Sequence, residues 1–487
     1  MLSAQTFEDQ VSLLTFFSST FFLVCSVALV GAVIAFGLID SAVVRPKNVL
    51  DTWVQKLLAA IVAGAAFLFV GYAIWIWQYY QAGVVGGGDP NPLSRAISDW
   101  WLGGYNLTHL SQNIDPKLQF EADVFQVFFI FFATFMMAAG ALLHGVGLER
   151  MKPAATYVFS AAAGGVLIPV ILYLTWGSTS PLTNRGVHDY VGLFGLYIYV
   201  GFTALVLAWR LGPRLGTASR PDLRTSGPRP SDLSKATIGV LVLMCCIPWI
   251  ALGCGFIIPG VGYVGISMTT SGFGIAAINV FAAMFGGGLG GLLLGYRLKN
   301  SFWAMLGPIA GYIAGTAMFD ITQPWIMLLV AIPGPFLAYG VYRLITRIGL
   351  DETKVIPLLV GPGVYGALMP GIVHWGTKTG GFVGITDGEY AFQNAEINLW
   401  WQLVGLGVTV GIAVVSALVL CFLLEKTIGL RVSEKTELDG MDPTYWSVPS
   451  LRDADGVERD MPVEPATLPV SATVERGVAS DPAGVSD

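Results

Sequence analysis

The sequence predicts an all-α membrane protein with eleven transmembrane helices. Three observations carry this prediction: 54% of the 487 residues are hydrophobic, only 12% are charged, and the mean hydropathy is +0.67. A soluble domain carries roughly twice that share of charge. The 60 glycines are spread along the apolar runs, as expected of membrane helices whose backbones approach closely. The net charge of −6 does not suggest a nucleic-acid partner.

Eleven apolar runs follow one another along the chain, and a bilayer crossing takes about 20 residues. The runs lie at about 14–40, 54–80, 122–147, 153–176, 188–211, 236–257, 270–296, 301–319, 324–347, 355–374 and 397–424. Several contain Gly or Pro, which membrane helices tolerate because neighbouring helices satisfy the freed backbone groups. The fifth run opens on His188 and Asp189, and a carboxylate there needs a partner or a purpose.

The basic residues predict the orientation of these helices, because Lys and Arg are enriched in cytoplasmic loops. Only four of the 26 basic residues follow even-numbered runs, namely Arg95, Lys117, Arg185 and Lys378. The N-terminus, residues 1–13, is therefore expected outside and the C-terminus inside. The sequence thus predicts a multi-pass membrane protein, and together with the family resemblance described below we expect it in the plasma (inner) membrane of a prokaryote.

A Pro-, Ser- and Arg-rich segment at 212–235 separates the first five runs from the next five and is expected to be a flexible cytoplasmic linker. Two sets of five crossings have opposite orientations, which is the arithmetic of an inverted repeat. The eleventh run is then an extra C-terminal helix. The membrane domain is expected over 14–430, followed by an acidic, Pro-rich tail over 431–487 whose last part is expected to be disordered.

No sequence motif indicates an enzyme, a metal site or a cofactor. A nucleotide-binding loop, an HExxH pair and a plausible Ser/His/Asp set are all missing from the sequence. The five cysteines lack CxxC spacing and are expected to be small buried hydrophobes. The four histidines share no metal-ligand spacing. The function must therefore depend on what lines a path through the helices.

Short motifs occur in one order along the chain. They are Arg45–Leu50, Gly71-Tyr72-Ala73, Phe125-Gln126, Gly145 with Glu149-Arg150, Asp189, Gly255-Phe256, Ile309-Ala310-Gly311, and Ile428–Val432 with Glu437 and Gly440-Met441-Asp442. This ordered set, over about residues 14–446, resembles the ammonium transporter/Rh family. The resemblance implies an eleven-helix protomer with an inverted repeat. It also implies a homotrimer in the lipid bilayer, with one narrow hydrophobic pore for ammonium or ammonia in each protomer.

The resemblance also implies roles for individual residues. Phe135 and Phe256 match two pore-gate phenylalanines, and Thr316 matches a pore-adjacent threonine. Trp176 matches the tryptophan of an outer substrate site, where Gly260 stands in place of the family's serine. Asp189 matches a structural and recognition carboxylate. A tryptophan can hold a cation against its ring face. The alternatives are core packing for the phenylalanines and the threonine, and a place in the interfacial aromatic belt for Trp176. From its position alone, Asp189 is expected to cap the fifth helix.

The mid-pore positions depart from the family, which usually has a pair of histidines there. Tyr197 and Leu359 stand at the two matching positions. A tyrosine has a pKa of about 10, so it relays protons poorly near neutrality, whereas histidine titrates there. His144 is a possible substitute, with helix packing as its alternative. We therefore expect passage of neutral ammonia or another small neutral solute, or a non-conducting sensor, with impaired proton-coupled transport.

The tail resembles the family's regulatory C-terminus at Arg431, Glu437, Gly440 and Asp442. In the family this segment packs under neighbouring protomers. A PII-type signal protein often controls family proteins of prokaryotes. Tyr445 and Trp446 stand where the family usually has a His-Gly pair. A solvated acidic tail is the alternative.

Overall fold

The structure, a computed structural model, describes residues 13–85, 88–108, 116–230, 232–258 and 261–448. Several predictions lie outside these ranges. They concern the outer N-terminus up to residue 12, Gly260, His109 and the end of the tail beyond residue 448.

The described part of the chain is a bundle of long apolar helices. Ten of them are long and apolar enough to cross a membrane. They are α1 (Leu13–Ser41), α2 (Pro46–Gln81), α3 (Pro116–Val146), α4 (Pro153–Thr175), α5 (Phe194–Leu211), α6 (Leu233–Leu252), α7 (Phe273–Leu298), α9 (Pro324–Arg347), α10 (Val355–Val373) and α11 (Leu399–Lys426). The run predicted at 301–319 forms α8 (Ser301–Gly315), whose 15 residues are fewer than the about 20 of a usual crossing.

Four of these helices are locally irregular. α2, α4 and α5 each contain a π-helical turn, at Phe67–Gly71, Ala163–Leu167 and Phe194–Ile198. α2 begins with a 3-10 turn at Pro46–Asn48, and α9 is interrupted between Ala331 and Gly334. Single π-turns inside α-helices recur at functional sites, and the turn in α5 contains Tyr197.

The prediction of an all-α fold is wrong at two short hairpins. α6 ends at Leu252, and β1 (Gly255–Ile258) pairs antiparallel with β2 (Gly262–Gly265), so Phe256 lies on a strand. A second pair joins β3 (Lys378–Thr379) to β4 (Ala395–Glu396). The apolar run at 236–257 is expected to form one helix, but Gly253 and Gly255 weaken helix formation. Gly262, at the start of β2, has a positive φ of +104°, which glycine adopts without steric cost.

Shorter helices lie between and after the long ones. They are Pro92–Trp100, Tyr105–Thr108, the 3-10 turn Thr183–Arg185, Glu434–Asp439 and Met441–Trp446. The linker is not loose throughout, because Arg214 is largely buried and ion-paired near its start.

Glycines allow a very close contact between α7 and α8. A Cβ on Gly287 would lie 2.5 Å from the Cα of Gly311, so only glycine allows this approach. Elsewhere α1 packs on α3 and α6, and α5 packs on α10 and α11. Segments of α1, α3, α5, α6, α8 and α10 thereby surround one central space.

The cysteines only partly match their predicted burial. Cys25, Cys254 and Cys421 are buried and Cys246 is half-buried, but Cys245 is exposed on α6. All five are free thiols in the structure.

Candidate functional site

A central cavity of about 90 Å³ lies among the helices. Its walls are mostly aliphatic, and they carry the rings of Tyr197 and Tyr312. Asp40 and Lys354 add charged groups to the lining. A small, largely apolar cavity of this kind accommodates a small uncharged solute much more readily than a bare ion, which loses its hydration there.

Tyr197 on α5 and Leu359 on α10 both line this cavity, and these two helices pack on each other. Gly201, one turn after Tyr197, lies so close to α10 that a Cβ would be 3.0 Å from Leu359 Cβ. The ring of Tyr197 meets the ring of Tyr312 edge-on, with centroids 6.5 Å apart. None of the three described histidines lines the cavity, so its titratable groups are the two tyrosines, Asp40 and Lys354.

A stack of aromatic rings lies next to the cavity. Trp176 is fully buried and stacks on Phe135, with centroids 5.9 Å apart and planes at 15°. It also stacks on Phe132 at 5.0 Å. The indole Nε1 donates a hydrogen bond to the Tyr190 carbonyl at 3.0 Å. Trp176 is therefore not an exposed residue of an interfacial belt.

Phe256 reaches the same aromatic cluster from β1. Its ring lies 5.4 Å from Phe128 and 6.3 Å from Phe125. Phe128 in turn lies 5.2 Å from Phe132, which contacts Phe135 at 6.2 Å. Phe135 and Phe256 thus belong to one cluster of rings, with Phe128 and Phe132 between them.

Asp189 is fully buried and holds the start of α5. Its Oδ1 accepts from the N–H of Leu193 at 2.9 Å, and its Oδ2 accepts from the N–H of Phe194 at 3.0 Å. Two backbone donors at a helix start would otherwise lack partners. Asp189 therefore positions the π-turn that carries Tyr197.

Thr316 is buried at the end of α8, and its Oγ1 donates to the Ile313 carbonyl at 2.8 Å. It is not among the residues that line the cavity. His188, beside Asp189, is fully buried with its Nε2 3.0 Å from Asp320 Oδ1. His374 is half-buried at the end of α10.

Three charged residues that the sequence reasoning missed form a buried cluster at one end of the cavity. Lys56 Nζ lies 2.6 Å from Asp40 Oδ2, and Lys354 Nζ lies 2.9 Å from Asp40 Oδ1. His144 is also buried near them. The sequence did hold a signal, because Lys56 falls inside an apolar run, and an ionisable residue within a membrane span is by default a functional candidate.

A second charged network joins the loops at the end of the bundle where α3 ends and α4 begins. We call Arg45, Glu149, Arg214 and Asp351 the loop network. Glu149 Oε1 accepts from the N–H of Arg45 at 2.8 Å, Glu149 Oε2 lies 3.2 Å from Arg214 Nη1, and Arg214 Nε lies 2.7 Å from Asp351 Oδ2.

The loop network shifts the pKa values of its carboxyl groups. Burial alone would raise the pKa of Glu149, but Arg45 and Arg214 outweigh burial and lower this pKa below its usual value. In the same way, Arg214 and Arg150 outweigh burial and hold the pKa of Asp351 well below its usual range. Both carboxylates are therefore ionised at neutral pH.

The tail residues dock on these loops within the same chain. Glu437 accepts from the N–H of Leu215 at 2.7 Å and pairs with Arg431 at 2.6 Å. Asp442 accepts from the N–H groups of Leu50 and Asp51 at 3.0 and 2.7 Å, which caps the first turns of α2.

Two other tail residues complete this docking. Gly440 has φ of +106° and packs on Lys47. Trp446 donates from its Nε1 to Asp51 Oδ1 at 2.9 Å. The first part of the tail is therefore a docked segment rather than a solvated one.

Comparisons with known proteins agree on one family. The family model described as Ammonium Transporter Family matches residues 20–447. The chain is 26% identical over 353 residues to ammonium transporter Amt1 of Methanocaldococcus jannaschii, covering 70% of this chain and 81% of that protein. It is 24% identical over 440 residues to ammonium transporter Amt2 of Archaeoglobus fulgidus, covering 86% and 85%.

Solved structures show a similar fold. One described as a Sensor Amt Protein superposes with a TM-score of 0.67 at 16% identity, covering 89% of this chain and 98% of that one. Mep2 of Saccharomyces cerevisiae superposes with a TM-score of 0.62 at 18% identity, covering 86% and 90%.

Proposed function

This chain belongs to the ammonium transporter family, and from that membership we propose that it passes ammonia through the central cavity of each protomer, with little or no accompanying charge. This proposal rests on the residues that line the cavity. Tyr197 and Leu359 line it. By the family resemblance they stand where a pair of histidines would relay protons, and neither titrates near neutral pH. We propose transport rather than sensing because the relatives reported above are named ammonium transporters.

The aromatic cluster supports passage of a neutral molecule. Phe135 and Trp176 are fully buried and stacked, so no water-filled channel runs between them. A bare cation at mid-membrane costs at least several kcal/mol unless the site solvates it. In this proposal, Trp176 holds ammonium by its ring face, and ammonia passes Phe135 and Phe256 when side chains move.

The test uses purified protein in liposomes exposed to an ammonium pulse. We expect internal alkalinisation, reported by a trapped pH dye, to be faster than in protein-free liposomes. We also expect no ammonium-evoked charge movement on a solid-supported membrane. A robust current would contradict electroneutral passage, and alkalinisation no faster than in protein-free liposomes would contradict transport. Growth of a transporter-deficient host on limiting ammonium separates transport from sensing.

The finer architecture belongs to the same proposal. We propose eleven crossings, with α8 as the short one, the N-terminus outside and the loop network on the cytoplasmic side of the plasma membrane. An internal resemblance supports the inverted repeat: Glu352 accepts from the N–H groups of Lys354 and Ile356 at the start of α10, as Asp189 does for α5. Cysteine labelling from each side of intact cells tests this topology.

We further propose that the protein is a homotrimer whose docked tail regulates the pores. The support is the family's known assembly together with the contacts of Glu437 and Asp442 described above. We propose a PII-type signal protein as the partner of the docked tail. Native mass spectrometry of the purified protein tests the trimer, and a pull-down with PII-type proteins tests the partner.

A further inference from the structure

The buried lysines and Asp40 lie at a defined point along the proposed pathway. α3 passes the aromatic stack at Phe135, lines the cavity from Ala138 onward, and reaches the charged end of the cavity at Gly145. Ten residues of helix separate Phe135 from Gly145, which is about 15 Å. The rings and the charged cluster therefore lie at opposite ends of the cavity.

Lys354 separates two spaces. It lines the central cavity, and together with Gly145 it also lines a second pocket of about 20 Å³. That pocket is polar and is lined by Arg150, Arg214 and Asp351, among others. A solute leaving the cavity toward the loop network must therefore pass Lys354.

The three charged groups do not balance. Two ammonium groups share the single carboxylate of Asp40, and all three residues are at most 6% exposed. Lys56 makes a further hydrogen bond to the Ala141 carbonyl at 2.8 Å. Besides its pairing with Asp40, the amino group of Lys354 has one further partner among the described residues, the Gly145 carbonyl, at the long distance of 3.5 Å. Lys354 is thus the surplus cation and the more weakly held of the two.

We propose that Lys354, held on Asp40, is the gate at this end of the conduit and its filter against cations. The inference rests on the proposed function and names a second specificity-determining element beside the aromatic cluster. When the Lys354 side chain leaves Asp40, the pair Lys56–Asp40 remains and is neutral overall. With Lys354 in place, the excess positive charge repels ammonium in a medium where charges interact strongly.

A reporter thiol in the cavity tests the gate without measuring transport. Ala138→Cys puts the thiol on the cavity wall of the full-length protein in detergent. We would measure its modification rate with methyl methanethiosulfonate, which is neutral, and with 2-aminoethyl methanethiosulfonate, which is a cation. Mass spectrometry of the α3 peptide distinguishes this site from the native cysteines.

Adding Lys354→Met to the reporter should raise the rate at position 138 at least tenfold for the cationic reagent and less for the neutral one. Lys354→Gln should act in the same direction, which protects the test against poor folding of the first variant. Lys378→Met is the matched control, because Lys378 is also ion-paired, to Glu396 at 2.7 Å, but is 56% exposed. It should change neither rate.

If Lys354 only stabilised the fold, its replacement would change the modification rates of the two reagents by the same factor. Equal rates in the parent, Lys354→Met and Lys354→Gln proteins would overturn the gate. Acceleration in either variant, greater for the cation, supports it. Measuring ammonia flux through the same variants in liposomes tests the proposed function separately. Faster labelling without any ammonia flux would support the gate and contradict the transport proposal.

Discussion

Glu149→Gln should destabilise the protein more than any change to an exposed ion pair. Glu149 is 4% exposed, and its carboxylate accepts from the N–H of Arg45 and from Asn48 Nδ2 at 2.6 Å while pairing with Arg214. A glutamine keeps one oxygen but turns an N–H₂ group toward donors. Breaking a buried ion pair costs about 3–5 kcal/mol. Since Arg214 keeps Asp351 as a partner, we expect about 3 kcal/mol.

The measurement is denaturant unfolding of the protein in detergent, with Glu396→Gln as control. Glu396 is also paired with a lysine, but its side chain is 57% exposed, so its replacement should cost less than about 1 kcal/mol. A double-mutant cycle with Arg214→Gln isolates the coupling between Glu149 and Arg214. Equal losses for the two glutamate variants would refute the role assigned to the loop network.

The same carboxylate gives a pH dependence with a definite sign. Because the folded-state pKa of Glu149 is lowered, its contribution is fully present above the unfolded pKa of about 4.3. The contribution is lost as the pH falls through the lower folded-state pKa. The stability difference between wild type and Glu149→Gln should therefore be constant above about pH 5 and shrink in stronger acid. A difference that grows in acid would contradict this assignment.

Three further predictions concern the cavity, the tail and the helix contacts. Combining Tyr197→His with Leu359→His adds groups that titrate near neutral pH, so an ammonium-evoked current should appear; silence would contradict the view that a missing relay prevents charge transfer. Asp442→Ala should cost about 1 kcal/mol as a lost cap and speed tryptic cleavage of the tail, seen on gels. Gly164→Ala should cost about 1–3 kcal/mol in denaturant unfolding, because its Cβ would lie 2.2 Å from a carbonyl oxygen. Gly407→Ala, where the Cβ meets open space, should be neutral, and equal effects would refute the packing argument.

The helices could be predicted because apolar runs of this length have few other stable forms in a membrane. The exceptions are short. The segment Gly255–Ile258 is apolar and continues a helical run, but it pairs with Gly262–Gly265. A short apolar segment does not distinguish helix from strand by its pattern, and only the tertiary pairing decides it.

The candidate site could likewise be predicted only in part from the sequence. Tyr197 and Leu359 could be named because the resemblance to the family marks their positions, and they do line one cavity. The cluster of Asp40, Lys56 and Lys354 could not be assembled, because Lys354 precedes α10 and is about 300 residues from Asp40 in α1 and Lys56 in α2. The only local sign was a lysine within an apolar run, which does not reveal its partner.

The two ends of the proposed conduit act on different properties of a solute. The stack of Phe135 and Trp176 excludes water and therefore acts against anything that needs hydration. Lys354 is a gate for every solute, and its charge adds a penalty for cations alone. Passage of ammonium beyond the ring face of Trp176 is disfavoured at both ends, whereas neutral ammonia carries neither the hydration penalty nor the charge penalty. Because the two penalties add for an ion, weakening either end should leave substantial selectivity, and only the loss of both should let ammonium through freely.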